Sequence, residues 1–227
     1  MILNLIEDLP KIERIKGRHG RRYYIREGKP SQAYPSVTTV LSADKVSRKA
    51  LFEWRNRVGA EEAQRVSSKA SGLGNTVHDM IEKYVLEGAT TRPDAMPIHL
   101  DMFGRLKDVV DERVGEVRLV EGQMISDHLR VAGTADMIAE FDGRLAVVDW
   151  KTSAKEKPRE WITNYFKQEA AYAVMFEENT GIPVDRLVTV ITNQEGTAQV
   201  FIEKRDDWIG EFLALREQYD MELQSNF

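Results

Sequence analysis

Apolar and polar residues alternate through "IERIKGRHGRRYYIRE" (Ile12–Glu27) on both sides of a Gly-containing centre, which predicts a β-hairpin. The next stretch, "SQAYPSVTTVLS", reads as an extended connection, because Pro35 disfavours helix in the residue before it. From about Asp44 to Ala70 the period becomes helical, with Leu51, Trp54 and Val58 on one stripe and Gly59 dividing it. "SGLG" then predicts a break before a second helix, "NTVHDMIEKYVLEG", capped by Asn75 or Thr76 and ended by Gly88. "IHLDMFGRLKDVVDERV" is a further amphipathic helix.

Beyond it the character changes. "EVRLVEGQMIS", "LRVAGTADMIAEF" and "RLAVVDWKT" are three successive β segments, the last two joined by the turn "DGR". A helix is expected from about Arg159 to Glu178, then the strands "RLVTVITN" and "GTAQVFIEK", then the terminal helix "DDWIGEFLALREQYDMELQ". That order makes an α/β sandwich on a mixed sheet, not a doubly wound parallel one. The length of 227 residues suits one domain, with a hairpin and helical accessory region over 1–72 and a core over 73–227.

Composition narrows the class. The apolar runs are far too short to span a bilayer, and the start, "MILNLIEDLPKIER", has neither signal-peptide nor transit-peptide character, so no membrane partner is expected. Cysteine is absent, which excludes disulfides, zinc–cysteine sites and iron–sulfur clusters and fits a reducing cytoplasm. The net charge of −5 argues against a passive nucleic-acid coat, although a nucleic-acid enzyme can set an acidic metal site beside a basic track. Between Lys11 and Lys29 eight Lys/Arg face two Glu, with Tyr23 and Tyr24 among them. Arg18, Arg21 and Arg22 are thus candidates for phosphate contact, and Lys49 and Arg55 add charge on the following helix. A solvated hairpin face explains the same charges.

The chemistry concentrates in "AVVDWKTS" (Ala146–Ser153). Residues two apart in a strand share a face, so Asp149 and Lys151 point one way and Trp150 the other, with about 7 Å between the first two along the strand. A hard divalent metal on Asp149, with Lys151 holding a water, would suit phosphodiester hydrolysis. An exposed salt bridge at a strand edge is the competing reading. "GTAD" brings Asp136 within reach if the two strands pair. His78 lies at the margin of an apolar helical stripe, Glu82 one turn on, and Glu121 interrupts an apolar strand, where Gly122 marks a possible bulge. Trp161, Tyr165, Gln168 and Tyr172, spaced four, three and four, share one helical face that is either core or a platform for bases.

"GTAD", a short turn and "VVDWKTS" together resemble the PD-(D/E)xK nuclease superfamily, specifically its RecB-like exonuclease branch, with Ala135 where the nominal motif has proline. "GNTVHDMIE" resembles that branch's upstream helix and "QEAAY" its Q-x-x-x-Y element. "YPSVTTVLS" and "LFEWRNRVGAEEA" look like the N-terminal part of its phage and mitochondrial-maintenance types. The resemblance implies a restriction-endonuclease-like core, a mixed central sheet flanked by helices. It implies His78, Asp136, Asp149 and the Trp150 carbonyl as ligands of Mg²⁺ or Mn²⁺, with Glu121 near the metal and imidazole helping to select manganese. Lys151 would position the water, and Gln168 and Tyr172 would lie near the scissile phosphate.

The function expected is a metal-dependent DNA exonuclease acting on single-stranded or duplex ends in replication, recombination or degradation, alongside replication or recombination proteins. A bacterial or phage-infected cytoplasm is the expected location. A restriction-like or structure-specific endonuclease, or a catalytically silent nucleic-acid-binding module, are the alternatives, and oligomeric state stays open.

Overall fold

Residues 114–153 hold three successive runs rich in apolar residues, and they form the centre of the sheet. In the computed structural model, which describes residues 1–17 and 20–225, β5 (Val114–Ser126), β6 (Val131–Phe141) and β7 (Arg144–Ser153) form an antiparallel meander. The helix α5 (Thr163–Thr180), preceded by a 3₁₀ turn at Arg159–Trp161, carries the chain over to β8 (Arg186–Asn193), which pairs parallel to β7. A parallel neighbour needs such a crossover, whereas the antiparallel β9 (Ala198–Lys204) follows through a short turn. The terminal helix α6 spans Arg205–Ser225. A short β1 (Ile2–Leu3), which the pattern did not signal, adds parallel to β5, giving the order β1-β5-β6-β7-β8-β9.

The expected hairpin is β2 (Ile12–Lys16) and β3 (Arg22–Arg26), extended by β4 (Lys29–Pro35) into a separate three-stranded sheet. Two expectations need correction. "VTTVL" is not extended but a short helix, α1 (Val37–Leu41), because Pro35 restricts only the residue before it and Ser36 then caps the next turn by accepting from the Thr39 N–H at 3.0 Å. Gly59, at φ +88°, does divide the helices α2 (Lys45–Val58) and α3 (Ala60–Glu87). The break at "SGLG" is absent: α3 runs straight through it, and the 72/73 boundary falls inside a helix. Packing overrides propensity here, since Leu73, Val77, Met80, Ile81 and Val85 bury one stripe. Gly74 also permits close approach, as a Cβ there would lie 3.2 Å from Thr152 Oγ1.

Together with α4 (Pro97–Arg113), α3 covers one face of the sheet, meeting Met137, Val148 and Trp150. Helices α1, α5 and α6 cover the other, around Ile138, Val147, Phe166 and Phe212. The strand β7 therefore alternates between two cores, which holds its charged end rigidly. In contrast, α2 buries none of its residues. Among the described residues no helix is long and apolar enough to cross a membrane.

Candidate active site

Antiparallel pairing of β6 with β7 sets Met137 opposite Val148, so Asp136 and Asp149 come next in the same register. The Trp150 N–H donates to Asp136 Oδ2 at 3.0 Å, fixing that carboxylate. From α3, His78 brings Nδ1 to 3.5 Å from the same oxygen. Across the other ladder, Val120–Met137 and Gly122–Ala135 flank Glu121. The register is kept there, so Gly122 makes no bulge; instead Glu121 itself takes φ +45°, a left-handed conformation that costs a non-glycine residue and recurs at functional sites. One ligand atom each from His78, Glu121 and Asp136 lies within 4.8 Å of the others. Three strands or helices thus deliver one nitrogen and two oxygen donors with no sulfur, a set suited to a hard or borderline divalent cation.

Asp149 lies outside that trio. It is almost fully buried and ion-paired with Lys151, so the pair is no exposed edge salt bridge. Neither of its oxygens accepts a well-formed hydrogen bond. Burial raises the Asp149 carboxyl to about 6, against the pull of Lys151. Burial alone would lower Lys151, but Asp149 and Asp136 outweigh it and hold the ammonium above its usual range. The ring of Tyr165 lies 5.1 Å below that ammonium. Glu121 is raised to about 7, by desolvation in the cleft and then by the charges of Asp136, Glu82 and Asp149. Glu82 lines the same cleft one turn from His78, and its own carboxyl is raised by burial and by Asp79.

One residue escaped the sequence reading altogether. Glu169, on α5, is completely buried beside this group: one oxygen accepts from the Thr189 hydroxyl, the other from nothing, and Thr189 is the cross-strand neighbour of Asp149. Burial, then Asp149, push its carboxyl far above the ordinary range. The signal was present, because Glu169 falls on the line Phe166–Ala173–Phe176, the apolar stripe of its helix.

A cavity of about 480 Å³ joins His78, Glu121, Asp136 and Lys151 to Gln168 and Tyr172. Gln168 Nε2 donates to the Tyr172 hydroxyl at 3.2 Å, and the tyrosine ring is packed over Gly133. A Cβ at Gly133 would sit 2.9 Å from that ring. Gly133→Ala is therefore expected to destabilise the protein by about 1–3 kcal/mol through overpacking, read as a lower urea midpoint at unchanged m-value. Trp161 stands in the 3₁₀ turn ahead of α5, 72% exposed, so it lies off the helix whose face carries Tyr165, Gln168 and Tyr172, because that helix begins only at Thr163. Of the basic candidates, Arg22 lines the cavity, while Arg21 stacks over Tyr219 at 5.5 Å. Lys49, loosely paired with Glu53 at 3.9 Å, and Arg55 lie on α2, away from the cavity lining. Arg18 lies outside the described residues.

The mixed sheet, with an acidic cluster and a buried Asp–Lys pair at the ends of adjacent strands, defines the class. The chain belongs to the PD-(D/E)XK nuclease superfamily, whose family model matches residues 41–223. It is similar to mitochondrial genome maintenance exonuclease 1 of Homo sapiens, 26% identical over 175 residues, which are 72% of this chain and 50% of that protein. The Xenopus tropicalis protein of the same name is 26% identical over 177 residues, 72% and 49% of the two chains. That of Mus musculus is 27% identical over 135 residues, 55% and 38%. The chain thus spans about half the length, or less, of these curated relatives. A divalent metal fits both the family and the donor cluster.

Proposed function

We propose that this protein is a metal-dependent DNA exonuclease that hydrolyses phosphodiester bonds at single-stranded ends, using Mg²⁺ or Mn²⁺ and acting as one nuclease domain. The observation that carries this reading is the convergence of His78, Glu121 and Asp136 within 4.8 Å in a cavity that Lys151 also lines. Asp149 and the Trp150 carbonyl are proposed to complete the ligand set from the neighbouring strand. A divalent cation held there would supply Lewis-acid polarisation of the phosphate and lower the pKa of a water. Lys151, charged and held from below by Tyr165, orients that water and offsets negative charge as it develops on phosphate oxygens. Gln168 and Tyr172 offer an amide and a hydroxyl to the same phosphate, and Trp161 offers an exposed ring to a base. That these relatives are named exonucleases supports attack from ends.

The test uses oligonucleotides labelled at either end, a circular single strand, and buffers with Mg²⁺, Mn²⁺ or EDTA. Linear single strands are expected to shorten progressively with either metal and to survive in EDTA, while the circle persists. Cutting of the circle would make the enzyme an endonuclease; no cutting under any condition would remove the reading.

A further inference from the structure

Beside the donor cluster, the cavity is lined by Arg22 on β3, by Ser36 and Thr38 at the start of α1, and by Asn75 on α3, one turn before His78. Of the two lysine or arginine side chains lining the cavity, Lys151 is held by Asp149, whereas the exposed guanidinium of Arg22 has no ion pair or hydrogen bond among the described residues. Arg14, Arg21, Arg55 and Arg57 likewise have no ion pair among the described residues, but of these unpaired arginines it is Arg22 that lines the cavity.

Its base is also fixed. The Arg22 carbonyl accepts from the Ser36 N–H at 2.9 Å and from the Thr39 hydroxyl at 3.1 Å. The Ser36 hydroxyl bonds those of Thr38 and Thr39 at 2.9 and 2.8 Å, and Ser36 bridges to Ala132 on β6, the strand that carries Asp136. The arginine therefore projects from a point tied to the metal-bearing strand.

We propose that Arg22, with Thr38 and Asn75, forms a phosphate subsite that grips the phosphate next to the one being cleaved. This rests on the nuclease reading and adds to it a device for register. A planar guanidinium binds phosphate oxygens in pairs, and a hydroxyl and an amide supply further donors. Holding one phosphate at a fixed point sets its neighbour over the donor cluster, so the subsite decides which linkage is presented. The occupant is an internal phosphodiester or a terminal phosphomonoester, which share this chemistry.

Single-stranded oligonucleotides carrying one neutral methylphosphonate at successive linkages separate these cases, together with ends bearing phosphate or hydroxyl. In the parent protein one such change is expected to slow cleavage about ten-fold, the worth of one good charge-assisted contact. Arg22→Ala should lose a similar factor on the unmodified strand and become indifferent to that one change, with Arg22→Lys intermediate. Sensitivity at an internal linkage identifies the diester; sensitivity at an end identifies the monoester. Binding read by fluorescence anisotropy needs no turnover, so it tests the subsite even if the chain cuts nothing. There, the slope of log Kd against log salt should shrink by about 0.7 in Arg22→Ala. An Arg22→Ala protein with unchanged slope, or with the parent's full sensitivity at every position, overturns the proposal.

Discussion

Lys151→Met is expected to lower the rate of phosphodiester cleavage by about 10²–10³-fold, the usual loss when one pre-placed group that stabilises developing charge is removed. Methionine keeps most of the apolar stem, so the change isolates the ammonium. It also leaves Asp149 buried without its ion partner, which costs on the order of 3–5 kcal/mol when the orphaned group stays charged. Stability should therefore fall with activity, and the two losses need separating. Adding Asp149→Asn to Lys151→Met removes the stranded charge, so the double variant should regain much of the melting temperature and none of the activity. Rates on an end-labelled strand and thermal melts followed by circular dichroism read both. If Lys151→Met cuts at the parental rate, the ammonium has no part in the chemistry.

The second large effect couples metal to pH. Glu121, Asp149 and Glu169 are all raised, the first to about 7 and the second to about 6. A carboxyl raised on folding keeps a proton that the unfolded chain has already released. Its contribution to stability is full below the unfolded value and is lost as pH rises through the folded one. The metal-free protein should thus be most stable near pH 5 and weaken toward pH 8, where Glu121 and Asp149 have both lost their protons. A divalent cation replaces the lost protons. At one hundred times its Kd it adds about 2.7 kcal/mol, which at about 2–4 °C per kcal/mol for this size is roughly 5–10 °C in Tm. We expect that gain with Mn²⁺ at pH 8 and almost none at pH 5, where protons occupy Glu121 and Asp149. An equal gain at both values would place the cation elsewhere.

Much of this site could be read from the chain because its parts sit on regular elements. Two-residue alternation in "RLAVVDWKT" put Asp149 and Lys151 on one face, and the adjacent turn brought Asp136 beside them. Glu121, expected near the metal, converges with His78 and Asp136 within 4.8 Å, while Asp149 on the next strand pairs with Lys151. Strand register is what decides this, and alternation alone does not fix register across a 13-residue strand such as β5. The continuity of α3 was hidden for another reason. Ser71, Gly72 and Gly74 signal a break by propensity, and only the sheet beneath them outweighs it. Glu169 was hidden because helical periodicity places it on the apolar stripe of α5 but does not show that this stripe packs on Thr189, beside Asp149.

The left-handed backbone at Glu121 has its own consequence. A glycine in that place would relax the strand by up to about 1–2 kcal/mol, and yet it would remove one oxygen from the proposed donor cluster. The wild-type side chain is therefore a standing compromise between robustness and turnover. A descendant freed from hydrolysis would find glycine there the easier residue to keep.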